Sequence, residues 1–220
     1  MKSCALGWMS AAATALLLSA CTATPQPKSA APLAASVDEL AAAVAADSAR
    51  SDAASEANLR EQLAADATRH AEACLQLDPK AAACLYSNAV ALGLEARAHP
   101  LRASELLKSM LESLDAAQAA DPQYDKAGPE RVTALVLIRA PGWPLGPGDP
   151  DAGLNAARRA VQLQPQYPPN LLALAEALSK TGDAAGAHEN YQRARDLAQA
   201  APAGPEHDDW LKQADQGLRR

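Results

Sequence analysis

The chain contains no phenylalanine, and aromatic residues make up only 3% of its 220 residues. Valine, isoleucine and threonine are scarce beside alanine and leucine. Strands draw on β-branched and aromatic side chains, so a sheet has little to be built from. A core of Ala and Leu instead needs helices that approach closely, because small side chains bury little area otherwise. The fold class that follows is all-α. A face of one charge is missing too. The formal net charge is −6 with both signs interspersed, which excludes the basic surface that nucleic acid binding requires.

Chemistry-bearing patterns are equally sparse. Four histidines, His70, His99, His188 and His207, are scattered singly, with no HExxH motif and no spacing suited to a metal site or a triad. Gly142, Gly146 and Gly148 lack the Lys-Ser/Thr that completes a phosphate loop. No catalytic residue, metal or cofactor is expected. After residue 20 no apolar run is long enough to span a bilayer.

What is present begins with Leu18-Ser19-Ala20-Cys21, which closes a short apolar run that starts just after Lys2. A positive start, an apolar middle and small residues before a cysteine form the pattern of a lipoprotein export signal. The reading is a signal peptide over 1–20 and Cys21 as the lipidated first residue of the mature chain; the alternative is an uncleaved anchor or a chance match to the pattern. Thr22 after the cysteine favours the outer over the inner membrane of a two-membrane cell, with the chain in the periplasm. Residues 21–36 are polar and dotted with proline, as in a flexible tether, and the folded domain is expected over 37–220. Cys4 leaves with the signal, so Cys74 and Cys84 remain as a pair in an oxidising compartment. They either form a disulfide across the Asp78-Pro79 break or stand as two buried thiols.

Ser36 and Glu39 have the spacing of a capping box, and beyond them the chain repeats itself. Pro79, Pro122 and Pro165 are 43 residues apart, and each ends a helical segment. Five residues before each proline stand Cys74, Ala117 and Ala160. Eight before stand Ala71, Leu114 and Ala157, and twelve before, Ala67, Met110 and Gly153. Small residues at such offsets share one helix face that a neighbouring helix can approach. The offsets match the second helix of a tetratricopeptide repeat, so the architecture expected is a tetratricopeptide-like array of helical hairpins. Helices are expected at about 37–49, 55–77, 81–97, 101–120, 129–140, 151–164, 169–181, 184–200 and 207–217. Proline is expected in the first helical turn at Asp78-Pro79, Gly128-Pro129 and Asp149-Pro150.

Residues 140–150 do not fit a plain repeat. Prolines at 141, 144, 147 and 150 fall every third residue, the period of polyproline II, which predicts a stiff, extended insertion. Trp143 within it either plugs the end of the helical layer or lines a binding site.

At this point the chain resembles a known family. Gly128-Pro129, Ala140-Pro141-Gly142-Trp143-Pro144, Gly148-Asp149 and Asn170 with Leu174-Ala175-Glu176 resemble the T-component family of TRAP transporters over residues 128–178. Tyr86 to Gly93 resembles that family's earlier helix. The family's usual glycine pair before the proline is Ala127-Gly128 here, a departure that bears on oligomeric state and pore shape. The resemblance implies a periplasmic, tetratricopeptide-like lipoprotein with an apolar pore or cleft, possible homo-oligomers, and a solute-binding protein as partner.

Stacked helix pairs create a concave surface lined by the first helix of each pair. The polar or aromatic candidates for it are Tyr86, Asn88, Arg131, Arg139, Asn170 and Glu176, with Trp143 from the Pro-rich segment. Asn170, directly after two prolines, can instead cap a helix, and Glu176 can face solvent. Arg139 is the residue expected to meet a carboxylate, structural or from a ligand. Two other functions compete with partner binding for a transporter: an envelope assembly lipoprotein, and a carrier of a small lipid-like molecule.

Overall fold

A computed structural model of the chain describes residues 35–219. The expected signal peptide, Cys21 and nearly all of the tether lie outside the described residues. Those that are described form nine α-helices: α1 (Val37–Ala53), α2 (Ala57–Leu77), α3 (Ala82–Ala98), α4 (Ala103–Ala120), α5 (Tyr124–Arg139), α6 (Pro150–Leu163), α7 (Pro168–Lys180), α8 (Ala184–Ala200) and α9 (Pro205–Leu218). A 3₁₀ turn, Pro100–Arg102, leads into α4. No strand is present among the described residues, and the all-α class holds. None of these helices is long and apolar enough to cross a membrane.

Local sequence explains where the helices begin. The Ser36 hydroxyl accepts the Glu39 N–H at 3.2 Å while the Glu39 carboxylate accepts the Ser36 N–H at 2.7 Å, a complete capping box for α1. Asp149 caps α6 through the Ala152 N–H, with Pro150 in the first turn, and Asp183 caps α8 through the Gly186 N–H. Gly182, at φ +93°, makes the left-handed reversal between α7 and α8 that a side chain would oppose.

The 43-residue period is a structural repeat at the helix ends. In α2, α4 and α6 the residue before the proline closes the last turn onto the carbonyl five residues before that proline. The bonds are Asp78 N–H to Cys74, Asp121 N–H to Ala117 and Gln164 N–H to Ala160. Proline pushes its predecessor into extended backbone, and all three cap residues have φ between −139° and −153°. The small residues at the shared offsets are buried in every copy. At Gly153 an added Cβ would come within 2.6 Å of Ile138, so the approach of α6 to α5 depends on its absence.

Each helix packs on the next in sequence. The odd-numbered helices also touch one another in series, α1 on α3, α3 on α5, α5 on α7 and α7 on α9, whereas no two even-numbered helices meet. The core is accordingly divided into three local clusters. One lies among α1, α2 and α3 (Val44, Ala67, Leu94), one among α3, α4 and α5 (Ala89, Leu114, Val136), and the largest spans α5 to α9 (Ile138, Leu171, Tyr191, Ala214). Full burial of a leucine such as Leu63, Leu114 or Leu171 contributes about 1.5–3 kcal/mol. The many alanines add little each but set the helix spacing. Cys74 and Cys84, both fully buried, are joined by a disulfide that ties α2 to α3, with Cα atoms 5.2 Å apart.

Two local expectations need correction. Pro79 lies in the turn before α3, which starts only at Ala82 after an Ala81 cap that offers no side-chain bond. At α5 the expectation holds: the range Tyr124–Arg139 joins two helical pieces across a kink, and Pro129 stands in the first turn of the longer one. Asp125, Lys126 and Ala127 have φ of 46°, 54° and 64°, a left-handed turn after which the regular helix runs on from Gly128. Residues 140–149 are no extended rod. The Gly148 N–H donates to the Pro141 carbonyl, the Leu145 and Gly146 N–H groups donate to Gly142, and Trp143-Pro144 is cis. Glycine at 146 and 148, where a Cβ would collide with the Pro141 and Ala140 carbonyls, lets the loop close where a regular proline spacing alone suggests polyproline II.

Candidate functional site

Along the odd-numbered helices run three hollows that share one residue, Arg139. The largest, about 680 Å³, lies between α1, α3, α4 and α5, with Tyr86, Val90, Leu94, Met110 and Leu135 among its walls. A second of about 200 Å³ lies between α5, α7 and α9, lined by Arg131, Leu172 and Trp210. The third, about 410 Å³, lies between α5, α7, α8 and α9 and includes Tyr191 and Gln213. Because Arg139 borders all three and Glu176 two of them, they adjoin as one groove. The first hollow is mainly apolar, the second mixed and the third mainly polar.

Arg139 and Glu176 meet in the middle of this groove. The Arg139 Nε donates to Glu176 Oε1 at 2.8 Å and Nη2 donates to Oε2 at 2.6 Å, a bidentate pair between α5 and α7. The hydrogen bond to Glu176 holds Arg139 above its already high ordinary pKa. The Arg139 side chain is still 57% exposed, so the pair meets solvent, and anything that enters the groove. Arg131, Leu135 and Arg139 follow one another at i, i+4 and i+8 on α5, while Pro169, Leu172, Ala173 and Glu176 form the facing stripe of α7.

Arg131, which lines the second hollow, and Asn170, which lines none, belong to one largely buried network. Arg131 Nη2 donates to the Asp125 carboxylate at 2.6 Å, and Nη1 donates to the Asp125 and Lys126 carbonyls and to Asn170 Oδ1. The Asn170 amide donates to the carbonyls of Lys126, Ala160 and Gln164. The Tyr86 hydroxyl donates to Asp125 at 3.0 Å, and the Arg131 guanidinium lies 5.2 Å from the Tyr167 ring centroid. Burial is the main cause that pushes the Tyr86 phenol pKa well above its usual value, with Arg131 opposing it. A left-handed residue that carries a side chain costs about 1–2 kcal/mol. The 125–127 turn persists because these bonds over-determine it. Asn170 is thus no helix cap, since Tyr167 occupies the cap position of α7. Fully buried, it is not a surface that a partner can touch.

The remaining candidates are dispersed. The Asn88 amide donates to Ser113 Oγ of α4 at 2.8 Å, away from the groove. Trp143 is 90% exposed and so plugs nothing; it lies two residues beyond Pro141, which borders the apolar hollow. The groove therefore unites Tyr86, Arg131, Arg139 and Glu176, and leaves Asn88, Asn170 and Trp143 outside it. Sequence reasoning passed over Leu135, Leu172 and Gln213, whose helical spacing reads equally well as a core face. It also passed over Glu130, which is fully buried and accepts Arg159 Nε at 2.6 Å and Nη2 at 3.0 Å, with a further short bond from Gln118. No local signal marks it, because Glu130 stands between Pro129 and Arg131 in the sequence and only the fold buries it.

His70 pairs with Asp47, His99 with Glu95 and His207 with Asp208, at separate places. Among the described residues no three potential ligands gather into a metal site. No family model matches the sequence, and no curated protein matches it either.

Proposed function

We propose that this chain is an exported, lipid-anchored helical-hairpin array that binds a protein partner in its groove and carries out no chemical step. The hairpins α1/α2, α3/α4, α5/α6 and α7/α8, with α9 closing the end, support a tetratricopeptide-like arrangement in which odd-numbered helices form the inner layer. The observation that carries the reading is the groove along those helices, apolar at one end and polar at the other, with the Arg139–Glu176 pair at its centre. Aromatic and arginine anchors in a recess, beside aliphatic walls, are the usual elements of a protein interface. The partner we propose is the periplasmic solute-binding protein of a TRAP-type transporter, on the strength of the resemblance over residues 128–178.

The test is affinity capture from envelope extract with the tagged chain, scored by mass spectrometry. Recovery of a solute-binding protein, lost in an R139A/E176A variant with an unchanged melting curve, supports the reading. Both side chains are partly exposed and removed together, so the fold keeps no orphaned charge. Recovery of pilus or outer-membrane assembly proteins instead refutes it. The apolar hollow favours a second reading, a carrier for a small lipid-like molecule. Native mass spectrometry of freshly purified protein would then show a bound apolar compound and no protein partner.

A further inference from the structure

The hollow between α1, α3, α4 and α5 is charged at one end only. The rise from Tyr86 to Arg97 along α3 gives it a length of about 16 Å. Between these two residues the walls are apolar, formed by Val90, Leu94, Leu107, Met110, Val132 and Leu135. Met110 packs on the bare backbone of Gly93, where an added Cβ would lie 3.2 Å from its sulfur. A flexible thioether suits a wall that adapts to its contents. The Tyr86 hydroxyl already donates to Asp125, so that end offers no open donor. The charged residues of the lining, Asp52, Arg97 and Arg139, all stand at the other end, where α1, α3 and α5 finish. Two guanidinium groups thus face one carboxylate. Arg97 Nη1 donates to Asp52 Oδ1 at 2.6 Å, an exposed pair that solvent weakens. Of the N–H donors on Arg139, Glu176 takes one on Nε and one on Nη2; both on Nη1 and the second on Nη2 remain. Glu176 borders the other two hollows but not this one. The open edge of the guanidinium is therefore left for the apolar hollow, and a second carboxylate can bind there with the ion pair intact.

We propose that this hollow binds a single-chain amphiphile with a carboxylate head, of the fatty-acid type. The chain lies along Val90, Leu94 and Met110, and the head meets the Nη1 edge of Arg139. The inference deepens the carrier reading, rests on it, and requires no protein partner. A volume of about 680 Å³ is that of a small-ligand site, apolar for the most part with a few placed polar groups. The one-ended charge then selects the head. A neutral molecule gains nothing from the open guanidinium edge, and a cationic one is repelled by the excess of arginine over Asp52. A planar carboxylate matches the guanidinium fork. A phosphate head, with nearly two negative charges at neutral pH, meets more repulsion from Asp52 than a carboxylate does.

The experiment uses the full chain in unlipidated form, so that neither bilayer nor detergent competes for the probe. Laurate, dodecanol and dodecyltrimethylammonium are titrated by isothermal calorimetry, each below the concentration at which it forms micelles. Laurate should bind at least about tenfold more tightly than dodecanol, as one charge-assisted pair implies, and the cation should not bind. R139Q/E176Q removes both charges together; it should lower laurate to the affinity of dodecanol and leave dodecanol unchanged. V90W should block both from the middle of the hollow while the Arg139–Glu176 pair stays in place. Met110, the one methionine of the described residues, reports the location without any change to the walls: its carbon-13-labelled methyl signal should shift as laurate binds. Laurate that leaves this signal unmoved, or that binds V90W equally well with an unchanged melting curve, overturns the proposal. So does dodecanol as tight as laurate, which leaves the carrier reading standing with a neutral ligand. If none of the three probes binds, the proposal falls, and native mass spectrometry of the purified protein decides the carrier reading by itself.

Discussion

Replacement of Asn170 by alanine separates a structural hub from a ligand contact. Asn170 Oδ1 accepts from Arg131 Nη1 at 3.1 Å, and Nδ2 lies 3.1–3.3 Å from three carbonyls on two segments, Lys126 on one side and Ala160 and Gln164 on the other. Alanine removes one bond from a charged donor and at least two neutral ones, and leaves a small void. Lys126, Ala160 and Gln164 each keep another donor, from Arg131 and from the backbone N–H groups of Gln164 and Tyr167, so none is wholly orphaned. The expected loss is about 3–5 kcal/mol, a fall in melting temperature of about 10 °C for a domain of this size. Asn170→Asp should be no better than alanine. It keeps the Arg131 bond but turns a donor into an oxygen facing three carbonyls. Both values follow from urea and thermal unfolding read by far-ultraviolet circular dichroism. A loss under about 1 kcal/mol for N170A, or N170D near wild type, would refute the network as the element that holds the 125–127 turn.

Arg159→Ala removes the bidentate partner of the buried Glu130 carboxylate and leaves only Gln118 bonded to it. Because Arg159 itself is half exposed, we expect about 2–3 kcal/mol of destabilisation in urea melts, at the low end for a broken buried pair. Reduction of the Cys74–Cys84 bond opens a loop of sequence separation 10, for which chain entropy gives about 2–3 kcal/mol. Calorimetry of oxidised protein against C74A/C84A should show the variant melting about 5–10 °C lower. Alkaline stability is the fourth expectation. Burial raises the pKa of Tyr86, Tyr124 and Tyr167 above the ordinary value of 10.0, so the folded state holds these protons more tightly than the unfolded chain. Stability is therefore complete below about pH 10 and falls as pH rises beyond it. Urea midpoints between about pH 8 and 11 should show that decline, with a shallower slope in Y86F.

Helix positions were legible because local signals agreed with one another. A capping box at Ser36, an Asp-Pro start at residue 149 and a proline after each of α2, α4 and α6 act within one turn of chain, so they survive whatever packs around them. The shared offsets before Pro79, Pro122 and Pro165 likewise announced a buried face. The Pro-rich loop misled because proline spacing speaks only for φ, while closure depended on Gly146 and Gly148 and on carbonyls that accept the loop's N–H groups.

The site was legible only in part, for a different reason. Arg139 and Glu176 are 37 residues apart, and no local rule pairs them. Spacing could place each on a helix but could not say that the two helices bring them face to face. Asn170 carried every local mark of a cap, yet the crossing of α5, α6 and α7 buries it against three carbonyls. The sequence alone determined an Ala-rich, all-helical chain with recurring helix ends, because propensity, capping and period are short-range properties. The groove, the left-handed turn at residues 125–127 and the exposed loop at Trp143 were decided by tertiary structure. Each depends on how far one helix stands from another, and that distance is set by side chains that meet only after the chain has folded.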